Sequence, residues 1–188
     1  MRYLNYILLA AVLGSLQGCF PIVAAGVGTG ALMASDRRTT GTIIEDESIE
    51  NKASSQINSK YQDKVHFNVT SYNRHVLITG EVPDDETKSA ITLIVAGVVN
   101  VKQVTNELVV SGQTALTSRG NDAIITTDVK LRFINNKVFQ PDHVKITTEN
   151  SIVFLMGLVY HKEADAASDI ASTTSGVKRV VKVFEYLD

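Results

Sequence analysis

The fold is decided by His66-Phe-Asn-Val-Thr-Ser-Tyr-Asn-Arg-His-Val-Leu-Ile-Thr-Gly80, which lines up without a gap on His143-Val-Lys-Ile-Thr-Thr-Glu-Asn-Ser-Ile-Val-Phe-Leu-Met-Gly157. Each stretch begins with alternating apolar and polar residues, reaches a short polar break, and continues with a second apolar run. This pattern predicts two strands joined by a tight turn. The chain is therefore an internal repeat with a β-hairpin in each copy.

A helical pattern precedes and follows each hairpin. In the first copy, Pro83-Asp84-Asp85-Glu86 is a strong helix start because the Asp side chains can accept hydrogen bonds from free amide groups. The predicted helices cover about 48–60, 84–96, 122–135 and 162–174, and the predicted closing strands cover 101–110 and 177–187. Each copy thus has the order α-β-β-α-β, an α+β unit with two helices on one face of a small mixed three-stranded sheet.

The repeat divides the chain into five segments. Gly112, Ser118 and Gly120 indicate a linker between the copies. The predicted segments are a signal peptide (1–18), a lipidated N-terminus and tether (19–45), a first domain (46–111), a linker (112–121) and a second domain (122–188). At about 65 residues, each domain is near the lower size limit for a self-supporting core.

Two glycine positions give the repeat a recognisable signature. One glycine lies late in the hairpin (Gly80 and Gly157), and another precedes an apolar strand, in Gly97-Val-Val-Asn-Val and in Gly176-Val-Lys-Arg-Val after a two-residue adjustment. On these marks the unit resembles the BON domain, named for bacterial osmotically induced and nodulation proteins. The resemblance covers both domains and implies two tandem BON folds.

The N-terminal residues predict a targeting signal. An apolar stretch of signal-peptide length ends in Leu16-Gln17-Gly18-Cys19, which resembles the bacterial lipobox. The resemblance implies that the Cys19 thiol receives a diacylglyceryl group, that the chain is cut before it, and that the new amino terminus is acylated. Phe20 stands where an Asp would resemble an inner-membrane retention signal, which favours the outer membrane with the body in the periplasm. The alternative is an ordinary signal peptide with an incidental cysteine.

Composition excludes several classes of protein. The chain is 44% hydrophobic with a formal net charge of -2, which argues against intrinsic disorder and against a nucleic-acid-binding face. Cys19 is the single cysteine, so the chain can form no internal disulfide.

No set of residues predicts catalysis. His66 and His143 occupy the same strand position in the two copies, which favours a structural role, and the helix-start interpretation accounts for Asp84 and Asp85. A converging set of acids, bases and nucleophiles is missing from the pattern. We therefore expect no enzyme activity, no cofactor and no metal ion.

Several residues are predicted to pack. Glycine inside a strand marks a close approach of another segment, so we expect Gly157→Asp to disrupt folding or domain packing, and the same role for Gly80. One sheet face is mixed in the first copy and wholly apolar in the second, where it is formed by Ile152, Phe154, Met156 and Leu158. Such a face should be covered, either by the first domain, which we favour, or by a partner protein.

The first helix of the second domain is the candidate binding surface. With Ile125, Val129 and Phe133 turned inward, an apolar set with basic neighbours remains outside: Ile124, Lys130, Leu131, Arg132, Ile134 and Lys137. This composition suits contact with anionic headgroups. The alternative is that Leu131 and Ile134 complete the core or pack on the first domain.

A lipobox followed by two such domains resembles the dual BON-domain lipoproteins of the Gram-negative outer membrane. The resemblance implies binding of anionic phospholipid, such as phosphatidylglycerol or cardiolipin, through the second domain. It also implies enrichment at division sites and a role in envelope integrity. The competing interpretation is a periplasmic adaptor for the outer-membrane assembly machinery or for cell-wall amidase regulators.

Overall fold

Each predicted hairpin forms the centre of a separate three-stranded sheet. The structure, a computed structural model, describes residues 36–112 and 116–188. Its elements are α1 (Thr40–Tyr61), β1 (His66–Tyr72), β2 (His75–Val82), α2 (Asp85–Ala96), β3 (Gln103–Val110), α3 (Leu116–Ile134), β4 (Val144–Glu149), β5 (Ile152–Val159), α4 (His161–Ser172) and β6 (Arg179–Tyr186). In each sheet the central strand pairs antiparallel with the strand before it and parallel with the last strand. The predicted α+β fold of two α-β-β-α-β units is confirmed.

Both helices of each domain pack on one face of its sheet. In the first domain, Ile49 of α1 and Ile91 of α2 are fully buried against Val76 and Ile78 of β2. In the second, Val129 and Phe133 of α3 join Ala167 of α4 against β5. Small alanines on α4 let that helix lie close to the sheet, which is why its inward face consists of Ala164, Ala167 and Ala171.

The first helix of each domain begins earlier than predicted. α1 begins at Thr40 because Thr39 caps it, its hydroxyl accepting a hydrogen bond from the Thr42 amide. α3 begins at Leu116 and contains Gly120, so the predicted linker of residues 112–121 is wrong over its second half. Glycine inside a helix costs about 1 kcal/mol relative to alanine, and packing along the rest of α3 outweighs that cost.

The predicted match between Gly97 and Gly176 is wrong. The structure matches Gly176 with Asn100, not with Gly97, since both adopt positive φ, 84° and 71°. In each domain the amide two residues later donates to the hairpin turn, from Lys102 in the first domain and from Lys178 in the second. Gly97 instead ends α2 with φ of −79°, so no left-handed backbone requires glycine there.

The two sheets pack face to face through their helix-free faces. The sheet interface consists of Tyr72, Leu77, Phe154, Met156, Leu158 and Val183, with Ile152 and Val181 at its edge. Its members include the equivalent residues Leu77 and Phe154, and the hydroxyls of Thr70 and Thr147, also equivalent, lie 3.2 Å apart. Contact between equivalent residues indicates a pseudo-twofold arrangement within one chain, as in an isologous dimer.

Candidate functional site

The outward face of α3 carries three large apolar side chains. Ile124, Leu131 and Ile134 are exposed by 62%, 54% and 64%, respectively. They recur at seven- and three-residue spacings, which keeps them on one stripe of the helix. The core residues Ile125 and Val129 occupy the opposite side. We call Ile124, Leu131 and Ile134 the α3 stripe.

Basic residues flank the α3 stripe. Lys130 is exposed beside it, and Lys137 is exposed in the turn after the helix next to Val138, which is also exposed. That turn is well fixed, because the Asn136 Oδ1 accepts hydrogen bonds from the amides of Val138 and Phe139. Phe139 is buried and packs edge-on against Phe133 at 5.0 Å between ring centroids.

Arg132 is separated from the other basic residues. Its guanidinium donates to the Ile170 carbonyl and to the hydroxyls of Thr173 and Thr174, at 2.7 to 2.9 Å. A cation at the C-terminal end of a helix satisfies carbonyl groups that have no partner within the helix. Arg132 therefore joins α3 to the end of α4, whereas Lys130 and Lys137 remain the basic neighbours of the α3 stripe.

The α3 stripe also has an acidic neighbour. Asp128 is exposed on the same helix, between the positions of Ile124 and Leu131. Its carboxylate offsets part of the positive potential from Lys130 and Lys137. The surface is consequently apolar with a slight basic excess, not strongly cationic.

Gly80 and Gly157 lie where a neighbouring strand approaches closely. A Cβ atom on Gly80 would lie 2.2 Å from the His66 carbonyl oxygen, and one on Gly157 would lie 2.3 Å from the His143 carbonyl oxygen. Gly80 also has φ of 125°, which side chains disfavour. Both contacts are with backbone of the same domain, so the structure gives these glycines a packing role.

The apolar face of the second sheet lies in the sheet interface. Phe154 and Met156 are almost fully buried there and Leu158 is buried, against Tyr72 and Leu77 of the first domain. Ile152 is half-buried at the edge. Two asparagine amides also cross between the domains, from Asn73 to Glu185 and from Asn150 to Glu81.

The sequence pattern did not predict the role of two buried aspartates. Asp46 of α1 accepts hydrogen bonds from the amides of Asn73 and Arg74, and Asp122 of α3 accepts them from Asn150 and Ser151. All four donors have positive φ, between 52° and 66° for the first three and 63° for Ser151. In each domain one carboxylate thus ties the first helix to the strained hairpin turn. The sequence signal is weak, because Asp46 lies between Glu45 and Glu47 and is one position out of register with Asp122 in the gap-free alignment of the copies.

A second unpredicted contact lies just before α1. The Arg37 guanidinium donates to both Glu163 carboxylate oxygens, at 2.6 and 2.8 Å, and to the Leu158 carbonyl. Arg38 donates to Asp46 and lies 3.9 Å from the centre of the Tyr72 ring. Two adjacent arginines therefore hold the segment before α1 to the second and to the first domain.

The predicted lipidation residue, Cys19, lies outside the described residues, as do the predicted signal peptide and most of the tether. Over 36–112 and 116–188, no helix is both long enough and apolar enough to cross a membrane.

Comparison with known proteins gives the family. The model of the BON domain matches residues 45–112 and 121–188. The chain is 43% identical over 186 residues to the outer membrane lipoprotein DolP of Haemophilus influenzae, covering 96% of each protein. It is 30% identical over 154 residues to the 21 kDa hemolysin of Actinobacillus pleuropneumoniae, covering 81% of this chain and 79% of that one.

A weaker likeness is found among solved structures. CdsD, a structural protein of the type III secretion system of Chlamydia trachomatis, is 14% identical, with a TM-score of 0.31 and coverage of 77% of this chain and 92% of that one. A score this low carries no argument about the present chain. Two matches to the BON domain and 43% identity over nearly the whole length of DolP show the family. The chain belongs to the BON-domain family, as a two-domain member related to DolP.

Proposed function

We propose that the protein is a non-catalytic outer-membrane lipoprotein, anchored through Cys19, whose second domain contacts anionic phospholipid through the α3 stripe. The observation that carries the proposal is the exposure of Ile124, Leu131 and Ile134 on one side of a helix whose other side is fully packed. The exposure of Lys130 and Lys137 supports a contact with headgroup phosphates. The name of the Haemophilus relative supports the outer membrane as the location.

The expected strength of this contact fits a protein that also has an anchor. Full burial of an Ile or Leu side chain contributes about 1.5–3 kcal/mol, and these three are roughly half exposed. A lysine near an anionic surface adds about 1 kcal/mol. The stripe and two lysines together give roughly 5 kcal/mol, an affinity between millimolar and micromolar. Such a contact orients a protein that acyl chains already hold at the membrane.

The proposal extends to the role of the protein. By its resemblance to dual BON-domain lipoproteins, it supports envelope integrity and is enriched at the division site, with its body in the periplasm. The lipids we infer are phosphatidylglycerol and cardiolipin, because both present exposed anionic phosphates.

A second candidate is a protein-interaction adaptor for outer-membrane assembly machinery or for cell-wall amidase regulators. The observation that favours it lies in the first domain, where Leu93 of α2 is 74% exposed and Val99, just beyond the helix, is also exposed. These exposed apolar side chains lie in the first domain, so a lipid contact through α3 does not use them.

Vesicle co-sedimentation of residues 22–188, which lack the acyl anchor, tests the proposal. Vesicles of neutral lipid are compared with vesicles rich in phosphatidylglycerol or cardiolipin. We expect binding only to anionic vesicles, with Leu131→Glu and Lys130→Glu each raising the apparent Kd by about five-fold or more, since either change removes at least 1 kcal/mol.

Two matched controls locate the surface. Leu93→Glu and Lys52→Glu introduce the same changes at exposed positions on helices of the first domain. We expect both to bind like the wild type. Absence of binding to either kind of vesicle would leave the acyl anchor as the only membrane contact and make the adaptor the leading candidate.

A further inference from the structure

A mixed cluster of metal-ligating groups lies where the two domains meet, away from the α3 stripe. His66 begins β1, and Glu81 lies directly opposite it on β2. Glu149, at the end of β4 in the second domain, faces both. The distance between His66 Nε2 and Glu149 Oε1 is 3.6 Å. Each side chain offers one ligand atom, and these atoms all lie within 4.8 Å of one another.

The two carboxylates are placed at a cost in desolvation. Glu81 and Glu149 are both buried, and His66 is half-buried at the mouth of a cleft of about 420 Å³. The Asp122 carboxylate and the Arg119 guanidinium line the same cleft as Glu149. Three carboxylates therefore share this region with one guanidinium, an excess of acidic groups that a bound cation would balance.

A hydrogen bond from the other domain fixes one of the carboxylates. The Asn150 side-chain amide donates to Glu81 Oε1 at 2.6 Å, which fixes that carboxylate from the second domain as outer-shell partners do in metal sites.

We propose that His66, Glu81 and Glu149 form a binding site for a divalent first-row transition metal ion, Zn²⁺ in the first instance. One imidazole nitrogen and two carboxylate oxygens are a ligand set that such ions accept. A tetrahedral ion needs ligand atoms about 3.4 Å apart. The Nε2–Oε1 pair lies close to this spacing at 3.6 Å, and the Glu81 ligand atom lies within 4.8 Å of both, so only the Glu81 carboxylate would have to move towards the ion.

The pseudo-twofold partner of the site provides an internal contrast. In the alignment of the two repeats, His143 corresponds to His66, whereas Leu158 and Tyr72 correspond to Glu81 and Glu149. The far end of the interface thus keeps the imidazole but has neither corresponding carboxylate, and the carboxylate that does lie near His143, Glu163, is held by the Arg37 guanidinium. We therefore expect one metal ion for each chain, held by ligands from both domains.

Isothermal titration of the full chain in detergent with ZnCl₂ tests the proposal, together with the shift of Tm between ZnCl₂ and a chelator. We expect one site and a higher Tm with the metal. His66→Ala and Glu149→Gln should weaken binding by at least the roughly 10–100-fold that follows loss of an outer-shell partner. Co²⁺ provides a second readout, because its visible d–d absorption reports bound nitrogen and oxygen ligands.

The control is His161→Ala. His161 is exposed and its Nδ1 lies 2.8 Å from the Asp188 carboxylate, so it is another histidine–carboxylate pair but outside the cluster. We expect this variant to bind like the wild type. The proposal is overturned if the wild-type chain gives neither heat nor a Tm shift, if both cluster variants bind as tightly as the wild type, or if His161→Ala loses binding equally. Circular dichroism confirms that each variant is folded.

Discussion

At the scale of single residues, the fold depends on glycines that let a neighbouring strand come close and on carboxylates that accept hydrogen bonds from backbone amides. Gly157 makes room for the His143 carbonyl oxygen of the neighbouring strand, and Asp122 collects two amides of a strained turn. Neither residue has to be exposed or reactive to make its contact, and the first domain has the same contacts at Gly80 and Asp46. Because both repeats use the same residue type for the same contact, we expect substitutions at these positions to be costly.

We expect Gly157→Ala to lower the free energy of unfolding by about 2–4 kcal/mol, because its Cβ would lie 2.3 Å from the His143 oxygen and the strands must separate. The matched control is Gly120→Ala in α3, where no atom lies within 4 Å of the added Cβ. There the gain in helix propensity should stabilise the protein by about 0.5–1 kcal/mol. Urea unfolding of both variants decides the matter, and equal effects would refute the close approach.

Removal of the Asp122 carboxylate should be comparably severe. Asp122→Ala leaves the amides of Asn150 and Ser151 without their acceptor, at an expected cost of about 2–4 kcal/mol. Asp128→Ala, on an exposed part of the same helix, should change stability by less than about 0.5 kcal/mol. Thermal unfolding compares the two, and a mild Asp122→Ala variant would mean that solvent replaces the carboxylate.

At the scale of elements, the sequence predicted the hairpins and helix order well and the helix starts poorly. Strand alternation and the Asp84 cap are local signals, and the structure follows them. The early start of α3 depends on packing along its whole length. Local residue preference at Gly120 therefore wrongly predicted a linker. The α3 stripe followed from periodicity, but the role of Arg132 required knowing that the end of α4 lies beside it.

This difference among basic residues of α3 is testable. Arg132→Ala removes three hydrogen bonds to the end of α4 and should lower stability by about 1–2 kcal/mol. Lys130→Ala should change stability by less than about 0.5 kcal/mol, since its side chain is exposed. Chemical denaturation measures both. If the two variants were equally stable, Arg132 would be as available to a ligand as Lys130.

At the scale of the whole molecule, two small domains form one body through the sheet interface and through Arg37. The interface follows from the repeat, because Phe154 lies where Leu77 lies in the first copy and the two meet. The arginine contact could not be predicted, since it joins residues 121 and 126 positions apart along the chain. Contacts of such long range leave no periodic trace in a sequence.

The Arg37–Glu163 pair should make stability depend on pH. Hydrogen bonding from Arg37 holds the pKa of Glu163 below its ordinary value of 4.5. The pair therefore stabilises the fold fully above about pH 4.5, and this contribution is lost as the pH falls through the folded-state pKa, because the unfolded chain then binds more protons.

Arg37→Ala should cost about 1–2 kcal/mol at pH 7 and should make the decline in stability between about pH 5 and pH 3 shallower than in the wild type. Urea unfolding across this range measures the difference. Arg179→Ala, at an exposed position of β6, is the control and should keep the wild-type slope. Parallel pH profiles for Arg37→Ala and the wild type would exclude the pair as a source of pH dependence.

Because the sheets pack face to face, the helices of the two domains lie on opposite sides of the molecule. Two sheets lie about 10 Å apart and each carries helices about 10 Å further out, so the helices of the first domain lie roughly 30 Å from those of the second. If α3 contacts lipid as proposed, the exposed Leu93 side chain lies on the opposite side of the molecule, away from the headgroups. A lipid contact and a protein contact would then use opposite faces of one chain and would not compete for the same surface.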